Sequence, residues 1–372
     1  MEIPLNRTNF RSQAPERSAR EVLREFRRKD NVYALSVVTF DLIAYSAAFF
    51  VGASLHSLPG KIGCALVCGI FTGRLFVLGH DACHQNLTSN RSMNQWLARI
   101  TFLPSMTPYR PWELAHNSIH HVFSNWSKKD YVWAPISKSQ FESLSAARQF
   151  LERIYRNPFG HGLYYLNEIW WKRLYFPSAK YVRNPKIYFR DSIVVSLFLG
   201  LQLFVLTDTA IFAGRTALLQ ILVMAVLPLL EWNCLMGFTI FLHHTHPDVP
   251  WFTDKDKWRS NETQLRATLH VQFAVPFDSV FHHIFKHTAH HLDVGIPHYH
   301  LAEAQSAIEE LFPEAIIIER FTWKNFLSIT HACKLYDYRN NCWLDFDGRV
   351  TARPQQLLYS AEAISVLRHS CE

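Results

Sequence analysis

Histidines in four tight clusters are the residues of this chain most able to do chemistry. Three clusters read HDACH, HNSIHH and HTAHH, and together they contain His80, His84, His116, His120, His121, His287, His290 and His291. A fourth cluster, HHTH, contains His243, His244 and His246. The neutral imidazole ring is a common ligand of transition metals. The clusters therefore predict a metal site.

Each of the first three clusters contains two histidines four residues apart. On a helix such residues lie on the same face, one above the other, so each pair can aim two imidazoles at one point. The three pairs are His80 with His84, His116 with His120, and His287 with His291. One pair with this spacing is more often a surface or core feature, but a repeat in several clusters favours metal binding.

The number of clustered histidines indicates how many metal ions the site could hold. A catalytic zinc needs about three protein ligands, whereas eight or nine imidazoles suffice for two ions. Imidazole suits Zn, Cu, Fe and Ni, so residue type alone leaves the metal open. The HExxH signature of zinc proteases does not occur in the sequence.

Four apolar stretches approach the roughly 20 residues that a helix needs to cross a bilayer. They cover residues 33–55, 62–78, 192–212 and 217–242. Very short links join the first to the second and the third to the fourth, which predicts two hairpins. Most Lys and Arg lie outside these links, so the positive-inside rule places both termini and all four histidine clusters on the cytoplasmic side.

The remaining segments complete the predicted fold, an all-α integral membrane protein with four transmembrane helices and a cytosolic histidine-rich cap. Residues 96–103 and 154–176 are aromatic and amphipathic, and they predict helices in the membrane interface. Residues 302–311 predict a soluble helix, and a strand-like run begins at Ile316. We expect a basic N-terminal arm at 1–32, a membrane domain with its metal cap at 33–300 and a cytosolic tail at 301–372.

Charge and cysteine content limit the function classes. The net charge of +7 comes largely from the N-terminal arm and from segments flanking apolar runs, a pattern typical of membrane proteins and not of nucleic-acid binding. Seven cysteines without a CxxC pair indicate a reduced compartment. The polar, Arg-rich N-terminus does not resemble a signal peptide.

The three clusters resemble the histidine boxes of membrane fatty acid desaturases and related hydroxylases. The flanking segments HHVFSN, FLHHTHP and HHLDVGIPHYHLAEA are also similar to that family, and the last two resemble its acyl-lipid Δ12-type branch. The resemblance covers about residues 79–304. It implies an O2-dependent enzyme that introduces a C=C bond into a fatty acyl or other lipid-like chain.

The resemblance also implies a set of cofactors and ligands. Two iron ions would be held by the eight box histidines and by a ninth ligand near the fourth span, for which His244 is the first choice. His243 and His246 are rivals, and His283 is less certain because the spacing before the third box is one residue shorter than usual. Asp81 resembles the family's aspartate that orients a ligand ring.

An external reductant follows from what the sequence does not contain. The resemblance implies that dioxygen is the co-substrate and that two electrons per turnover come from outside the chain. A nucleotide-binding GxGxxG motif and a ferredoxin-like cysteine set are both missing. We therefore expect a separate electron carrier, such as ferredoxin or a cytochrome b5-like protein.

The apolar stretches contain Asp41, Arg74 and Glu231, and charge is costly there and suggests a function. Asp41 and Arg74 fall at similar depths, which predicts an ion pair beside the substrate tunnel. Glu231 lies deeper, where it could be a neutral buried acid or a polar lining of the tunnel.

Other functions remain open at this point. A hydroxylase or another C–H oxidising enzyme of the same superfamily would use the same ligands. A histidine-rich metal transporter would place ionisable groups along a midplane pathway. A membrane zinc hydrolase would need fewer histidines and a Glu within a histidine pair.

Overall fold

The computed structural model describes residues 14–177, 186, 188–260 and 263–354. Within these ranges the chain is mostly helical. The first part of the expected N-terminal arm, residues 1–13, and the end of the expected tail, residues 355–372, lie outside the described residues. The division at residues 32 and 300 stays a prediction.

The helices follow one another through most of the chain. The α-helices are α1 (Ala14–Leu23), α2 (Asn31–Ser54), α3 (Leu58–Cys83), α4 (Arg91–Phe102), α5 (Tyr109–Glu113), α6 (His121–Phe123), α7 (Lys138–Glu142), α8 (Ala146–Tyr155), α9 (His161–Tyr164), α10 (Phe189–Phe212), α11 (Ala217–Ile221), α12 (Leu227–His244), α13 (Lys255–Ser260), α14 (Thr263–Arg266), α15 (Phe277–Val280), α16 (His287–Leu292), α17 (Leu301–Leu311) and α18 (Trp323–Ala332). π-Helical segments cover Leu114–His120, Tyr165–Tyr175 and Leu222–Val226, and 3-10 turns cover Arg24–Arg27 and His298–His300.

Four helices are long and apolar enough to cross a membrane, as the sequence predicted. They are Asn31–Ser54, Leu58–Cys83, Phe189–Phe212 and Ala217–His244, the last of which joins α11 and α12 through a π-helical segment. Each begins or ends a few residues beyond the predicted stretch, because polar residues at the ends continue the helix. The histidines of the first and fourth clusters therefore lie at helix ends.

Two cations at the opposite end of the molecule bond to the end of α2. Lys61 was expected in the link between the first two spans, but it lies in the first turn of α3, where its Nζ donates to the carbonyl of Gly52 at 3.0 Å. Arg215 donates to the carbonyls of Ser54, at 3.1 Å, and Leu55. The last carbonyls of α2 have no partner within the helix, and these cations provide one.

Five short strands correct the expectation of an all-α fold. β1 (Leu269–Gln272) pairs in parallel with β2 (Ile317–Arg320), and β3 (Leu335–Asp337), β4 (Cys342–Leu344) and β5 (Val350–Ala352) form an antiparallel sheet. β2 confirms the strand-like run after Ile316. Strands of three or four residues give too short an alternation to stand out in a sequence.

The expected amphipathic helices also form, with one difference. α4 contains residues 96–102 of the first, and α17 confirms the soluble helix at 302–311. The segment 154–176 is not one helix, because α8 ends at Tyr155 and a turn separates it from α9. Their placement in a membrane interface stays a prediction.

The hydrophobic core lies between the long helices and the histidine-bearing segments. α3, α4, α12 and the π-helical segment Tyr165–Tyr175 contribute to its largest part. A second part forms where α1 packs on α16 and α17, with Leu23 and Leu292 buried in it. The third histidine cluster is therefore covered by an N-terminal helix, which Arg27 also joins to Asp293 at 2.6 Å.

Two glycines allow α9 and α12 to approach closely. A Cβ placed on Gly237 would lie 2.3 Å from the carbonyl oxygen of His161, and one on Gly162 would lie 2.8 Å from the Cα of Cys234. These contacts involve backbone atoms, which cannot rotate away. The approach positions α12, whose last residues carry the fourth histidine cluster.

We expect Gly237→Ala to reduce stability, because the added methyl group must push α9 and α12 apart. Overpacking of this kind costs about 1–3 kcal/mol. Gly200→Ala in α10 is the matched control, since a Cβ there meets nothing within 4 Å. Thermal unfolding in detergent should show a lower midpoint for Gly237→Ala and an equal or higher one for Gly200→Ala. Equal midpoints for the two variants would contradict the close approach.

Candidate metal centre

The first cluster lies at the end of α3. His80 is in the last turn of that helix, and His84 is its C-cap, with its backbone N–H bonded to the carbonyl of His80 at 3.2 Å. The two ring centroids are 4.7 Å apart. The expected i,i+4 pairing is therefore present here.

The second cluster lies on a π-helical segment and not on an α-helix. The backbone N–H of His121 bonds to the carbonyl of His116, which is the i to i+5 pattern of a π-helix. This spacing brings the Nε2 atoms of His116 and His121 to 2.9 Å. The sequence had paired His116 with His120, and the wider turn is the reason for the difference.

The third and fourth clusters meet each other. α12 ends with His243 and His244, and the short helix α16 carries His287, His290 and His291. The Nε2 atoms of His244 and His287 are 3.2 Å apart. His287 and His291, the expected pair, have ring centroids 4.6 Å apart.

Nine histidines form two groups whose ligand atoms lie within 4.8 Å of one another in each group. Five residues form the first group: His80, His84, His116, His121 and His290. Four residues form the second group: His120, His244, His287 and His291. The groups adjoin, since the rings of His121 and His291 have centroids 4.2 Å apart. All eight box histidines and the first choice for a ninth ligand are thus brought together.

The HH doublets of the second and third clusters are each divided between the groups. His120 belongs to the group of four and His121 to the group of five, and the same division separates His291 from His290. Successive residues on a helix point about 100° apart, so one doublet can serve two sites. One peptide bond in each doublet therefore links the two groups.

Hydrogen bonds to Nδ1 fix the orientation of two rings in the group of four. His120 donates through Nδ1 to Asp130 at 3.1 Å, and His244 donates through Nδ1 to the carbonyl of Ala267 at 3.3 Å. Their Nε2 atoms then carry lone pairs, and these two atoms face each other at 3.1 Å. Two facing lone pairs repel unless a cation lies between them.

The same argument applies to one more ring in each group. His80 donates through Nδ1 to Asp81 at 3.2 Å. The Ser124 hydroxyl donates to the carbonyl of His120 at 2.8 Å, so its oxygen is left to accept from Nδ1 of His291 at 3.2 Å. The Nε2 atoms of His80 and His291 are buried and meet no hydrogen-bond partner among the described residues.

These spacings fit a metal ion in each group. A metal–imidazole bond is about 2.0–2.1 Å long, so two ligands at right angles have nitrogen atoms about 3 Å apart. The Nε2 contacts within the groups span 2.9 to 3.2 Å. Buried acceptors without a donor are costly, and a bound cation would remove that cost.

Burial keeps the histidines outside the spans in the form that binds metals. Loss of solvation and the neighbouring imidazoles lower the pKa of His84, His116 and His121 well below the usual range. The same causes lower the pKa of His287, His290 and His291. Neutral imidazole is the ligand form, so these rings need not lose a proton at neutral pH.

Two carboxylates hold ligand rings in place. Asp81 accepts from His80 and, through its other oxygen, from the backbone N–H of His298 at 2.7 Å and from its Nδ1 at 3.1 Å. Burial would raise the pKa of Asp130, but the adjacent His120 outweighs burial and lowers it. Asp130 is thus a buried anion that keeps the His120 ring oriented. The sequence singled out Asp81, but it gave no signal for His298 or Ser124.

The remaining candidate ligands lie at different distances from the groups. His243 is buried, stacks on His287 with ring centroids 3.7 Å apart, and lines the adjoining cavity. His246 contacts Glu319 at 3.4 Å, and His283 contacts Asp278 at 3.2 Å. In the described structure neither His246 nor His283 belongs to a group of possible metal ligands.

A largely apolar cavity opens onto the histidines. His80, His116, His120, His243, His244 and His287 lie at one end. The walls come mostly from apolar and aromatic side chains, among them Phe76, Trp112, Trp232 and Phe281. Along α12, Trp232 is twelve residues before His244, so it lies about 18 Å from the histidine end of the cavity. The cavity is therefore long, apolar and continuous with the candidate metal centre.

The predicted ion pair between Asp41 and Arg74 is present, but it does not line this cavity. The Asp41 carboxylate lies 2.9 Å from Arg74 and 3.1 Å from Nε2 of His282, and Arg74 also donates to the carbonyl of Val280 at 2.6 Å. His282 and His283 have positive φ angles of 55° and 60°. The ion pair therefore fixes a strained turn that carries Phe281, a wall residue.

Glu231, for which the sequence allowed either a neutral buried acid or a polar lining of the tunnel, does not line this cavity. Its carboxylate points at α3, where a Cβ on Gly69 would lie 2.1 Å from Oε2. The cavity is lined from the side of α12 by Trp232, Leu235 and Met236. A helix residue next to Trp232 points about 100° away from it, which explains why Glu231 is outside the cavity.

Comparison with known proteins identifies the class of protein that this fold and site define. The family model for fatty acid desaturases matches residues 57–323, which include all four histidine clusters. The chain belongs to the fatty acid desaturase family. It is an oxidoreductase and an integral membrane protein.

Individual relatives point to one branch of that family. The chain is 30% identical over 325 residues to an sn-1 oleoyl-lipid 12-desaturase of Anabaena variabilis, with 85% of this chain and 87% of that protein covered. It is 27% identical over 266 residues to the protein of that name from Picosynechococcus sp., with coverages of 72% and 74%. It is 25% identical over 337 residues to the chloroplastic omega-6 fatty acid desaturase of Arabidopsis thaliana, with coverages of 90% and 72%. The resemblance to the Δ12-type branch is confirmed.

We expect the purified protein to contain about two metal ions per chain, because two groups of neutral imidazoles face inward. His244→Ala removes a ligand from the group of four and should reduce the content to no more than about one ion. His246→Ala is the matched control, since this residue lies outside both groups. Elemental analysis by mass spectrometry measures both. Metal loss in His246→Ala with full content in His244→Ala would exclude His244 as the ninth ligand.

Replacement of Asp41 should release the turn that carries Phe281. Asp41→Ala leaves Arg74 and His282 without their buried anion and should lower the free energy of unfolding by about 3 kcal/mol, near the low end for a buried pair. Hydrogen exchange in residues 277–286 should increase as well. Asp208→Ala removes an exposed carboxylate from another long helix and should change neither quantity. Equal behaviour of the two variants would rule out the anchoring role.

Proposed function

We propose that the protein is a di-iron acyl-lipid desaturase that uses O2 to introduce a C=C bond into a fatty acyl chain. The observation that carries the proposal is the pair of histidine groups at the end of a long apolar cavity. Membership of the fatty acid desaturase family supports the same reaction. The relatives' names add an oleoyl lipid as the substrate class.

The proposed ligands are the nine histidines of the two groups. His80, His84, His116, His121 and His290 would hold one iron, and His120, His244, His287 and His291 the other. When bound, the two irons would supply the reduced oxygen species that can break an unactivated C–H bond, which no side-chain acid or base can do. Asp81, Asp130 and Ser124 would keep the ligand rings aligned during turnover.

The chain's own contribution is to place the substrate and to keep water out. The apolar walls would hold an extended acyl chain with one segment beside the histidines, as in a near-attack arrangement. The reaction balances as –CH2–CH2– plus O2, two electrons and two protons giving –CH=CH– and two water molecules. Because the walls near the histidines are aromatic, they would exclude bulk water from the reactive species.

The proposed topology places two helical hairpins in the membrane, α2 with α3 and α10 with α11–α12. Both termini and the four histidine clusters would then face the cytoplasm, in a bacterial inner membrane or its equivalent. The distribution of Lys and Arg in the sequence supports this orientation. The bonds of Lys61 and Arg215 to the end of α2 account for the two cations at the opposite end.

The two electrons would come from an external carrier such as ferredoxin or a cytochrome b5-like protein. The sequence supports this part of the proposal, since it contains neither a GxGxxG motif nor a ferredoxin-like cysteine set. Each carrier of this kind delivers one electron at a time. Two deliveries are needed for each double bond.

Expression in a bacterial host that makes no dienoic fatty acids tests the proposed reaction. With lipid-bound oleate present, we expect a new diene in the membrane lipids, because the cavity holds an acyl chain beside the metal centre. His84→Ala should abolish the diene, and His246→Ala should retain it. Gas chromatography with mass spectrometry of the fatty acids is the measurement.

The same lipid analysis identifies other outcomes. A hydroxylated acyl chain in place of the diene would assign the protein to the hydroxylases of the superfamily. An unchanged lipid profile, with the protein present in the membrane and carrying two irons, would contradict an acyl-lipid substrate.

A further inference from the structure

A partly exposed aromatic patch lies next to the group of four histidines, and the function proposed above does not use it. The patch consists of Phe123, Trp126 and Trp258. The rings of Trp126 and Trp258 are stacked with centroids 5.5 Å apart, and Phe123 lies 5.5 Å from Trp126. The neighbouring Val122 is 50% exposed. The patch is thus a surface feature and not part of the core.

Two chain segments far apart in sequence build this patch. The backbone N–H of Ser127 bonds to the carbonyl of Phe252 at 2.9 Å, and Nε1 of Trp126 donates to the carbonyl of Thr253 at 3.2 Å. These bonds hold the loop after the second histidine cluster against the segment that precedes α13. The position of the two indoles is therefore fixed by backbone contacts.

A short hydrogen-bonded route connects the patch to two proposed metal ligands. Nε1 of Trp258 donates to the carbonyl of Ser124 at 2.9 Å. The hydroxyl of Ser124 is bonded in turn to the carbonyl of His120 and to Nδ1 of His291, at 2.8 and 3.2 Å. One residue thus lies between an indole at the surface and two proposed ligands, which it contacts at the ring of His291 and at the backbone carbonyl of His120.

The charges around the patch are mostly positive. Exposed cations in the same two segments are Lys128, Lys129, Lys255, Lys257 and Arg259. The exposed carboxylates described there are those of Asp254 and Asp256. Asp254 caps its own helix, since its side chain accepts from the backbone N–H groups of Asp256 and Lys257. Such a surface attracts an acidic partner.

We propose that the aromatic patch is the docking surface for the electron carrier and that electrons enter the metal centre through Trp258 and Ser124. The occupant is a small acidic protein that carries one electron. This inference rests on the proposed function, because only an oxygen-reducing centre requires an external reductant. The aromatic rings give the apolar centre of the interface, and the cations give its polar rim.

The step balances as a simple electron transfer. One reduced carrier loses one electron, the metal centre gains it, and two such encounters supply one turnover. No bond forms or breaks at Trp258 or Ser124, which only provide a bonded path from the surface to His120 and His291. The group of four histidines would therefore receive electrons first.

The alternative occupant of an aromatic surface in a membrane protein is the lipid interface, where Trp is common. The three exposed cations on α13 and the two on the loop after the second histidine cluster favour an acidic protein over lipid, together with the route to the ligands. Lipid contact is nevertheless a distinct outcome of the test. It can be detected through quenching of Trp258 fluorescence by brominated lipids.

The test uses the holoenzyme in phosphatidylcholine nanodiscs, with a plant-type [2Fe–2S] ferredoxin as the probe. Lys255→Glu combined with Arg259→Glu should weaken ferredoxin binding about tenfold and should reduce its salt dependence. Trp258→Leu should slow reduction of the metal centre by ferredoxin and leave reduction by dithionite unchanged. Binding is measured by calorimetry, and reduction is followed by stopped-flow absorbance.

Matched controls come from α18, which begins with an exposed tryptophan and an exposed lysine. Trp323 is 63% exposed and Lys324 is its neighbour. Trp323→Leu and Lys324→Glu should leave ferredoxin binding and reduction as in the unaltered protein.

Three results would overturn the proposal. They are unchanged binding in the charge-reversed variant, equal effects in the α18 controls, and fluorescence of Trp258 that is quenched by brominated lipids. Failure of the proposed function is a different result, because the unaltered protein would then give no product even with dithionite. Ferredoxin binding does not depend on turnover, so it separates the two cases.

Discussion

Facing lone pairs of buried imidazole nitrogens are the interaction on which the rest of the structure depends. The Nδ1 atoms of four rings donate hydrogen bonds to Asp130, Asp81, Ser124 and the carbonyl of Ala267. The Nε2 atom of each ring is therefore left as an acceptor inside the protein. Such a collection of acceptors is costly to bury. A bound cation would compensate for this cost, and the helices converge closely enough to form two compact groups.

The two histidine groups are held together both by the long helices and by shorter helices outside them. α3 and α12 bring two clusters to the same end of the core, and Gly237 allows α12 to lie against α9. α16, only six residues long, is covered by α1 and α17, and the side chain of Gln305 accepts from the backbone N–H of Ala289 at 2.9 Å. A helix this short has little stability of its own, so its cover is what fixes the third cluster.

Much of this arrangement could be predicted from the sequence, because the apolar stretches are long and the histidine clusters are repeated. Hydropathy over 20 residues identified the four long helices. The histidine clusters supplied the eight box residues, and the family resemblance led to His244 as the first choice for a ninth ligand. The pairing of His116 with His121 could not be foreseen, since a π-helix has no clear sequence pattern. Contacts such as those of Asp81 with His298 and Asp41 with His282 join residues more than 200 positions apart. Only tertiary packing decides such contacts.

The divided HH doublets have a consequence for how the centre is assembled. His120 and His121 share a peptide bond across the two groups, and so do His290 and His291. The first ion to bind would immobilise backbone that also carries ligands of the second site, so less conformational entropy would remain to be lost. Loading of the two sites would therefore be positively cooperative, and a half-filled centre would be the least populated form of the protein.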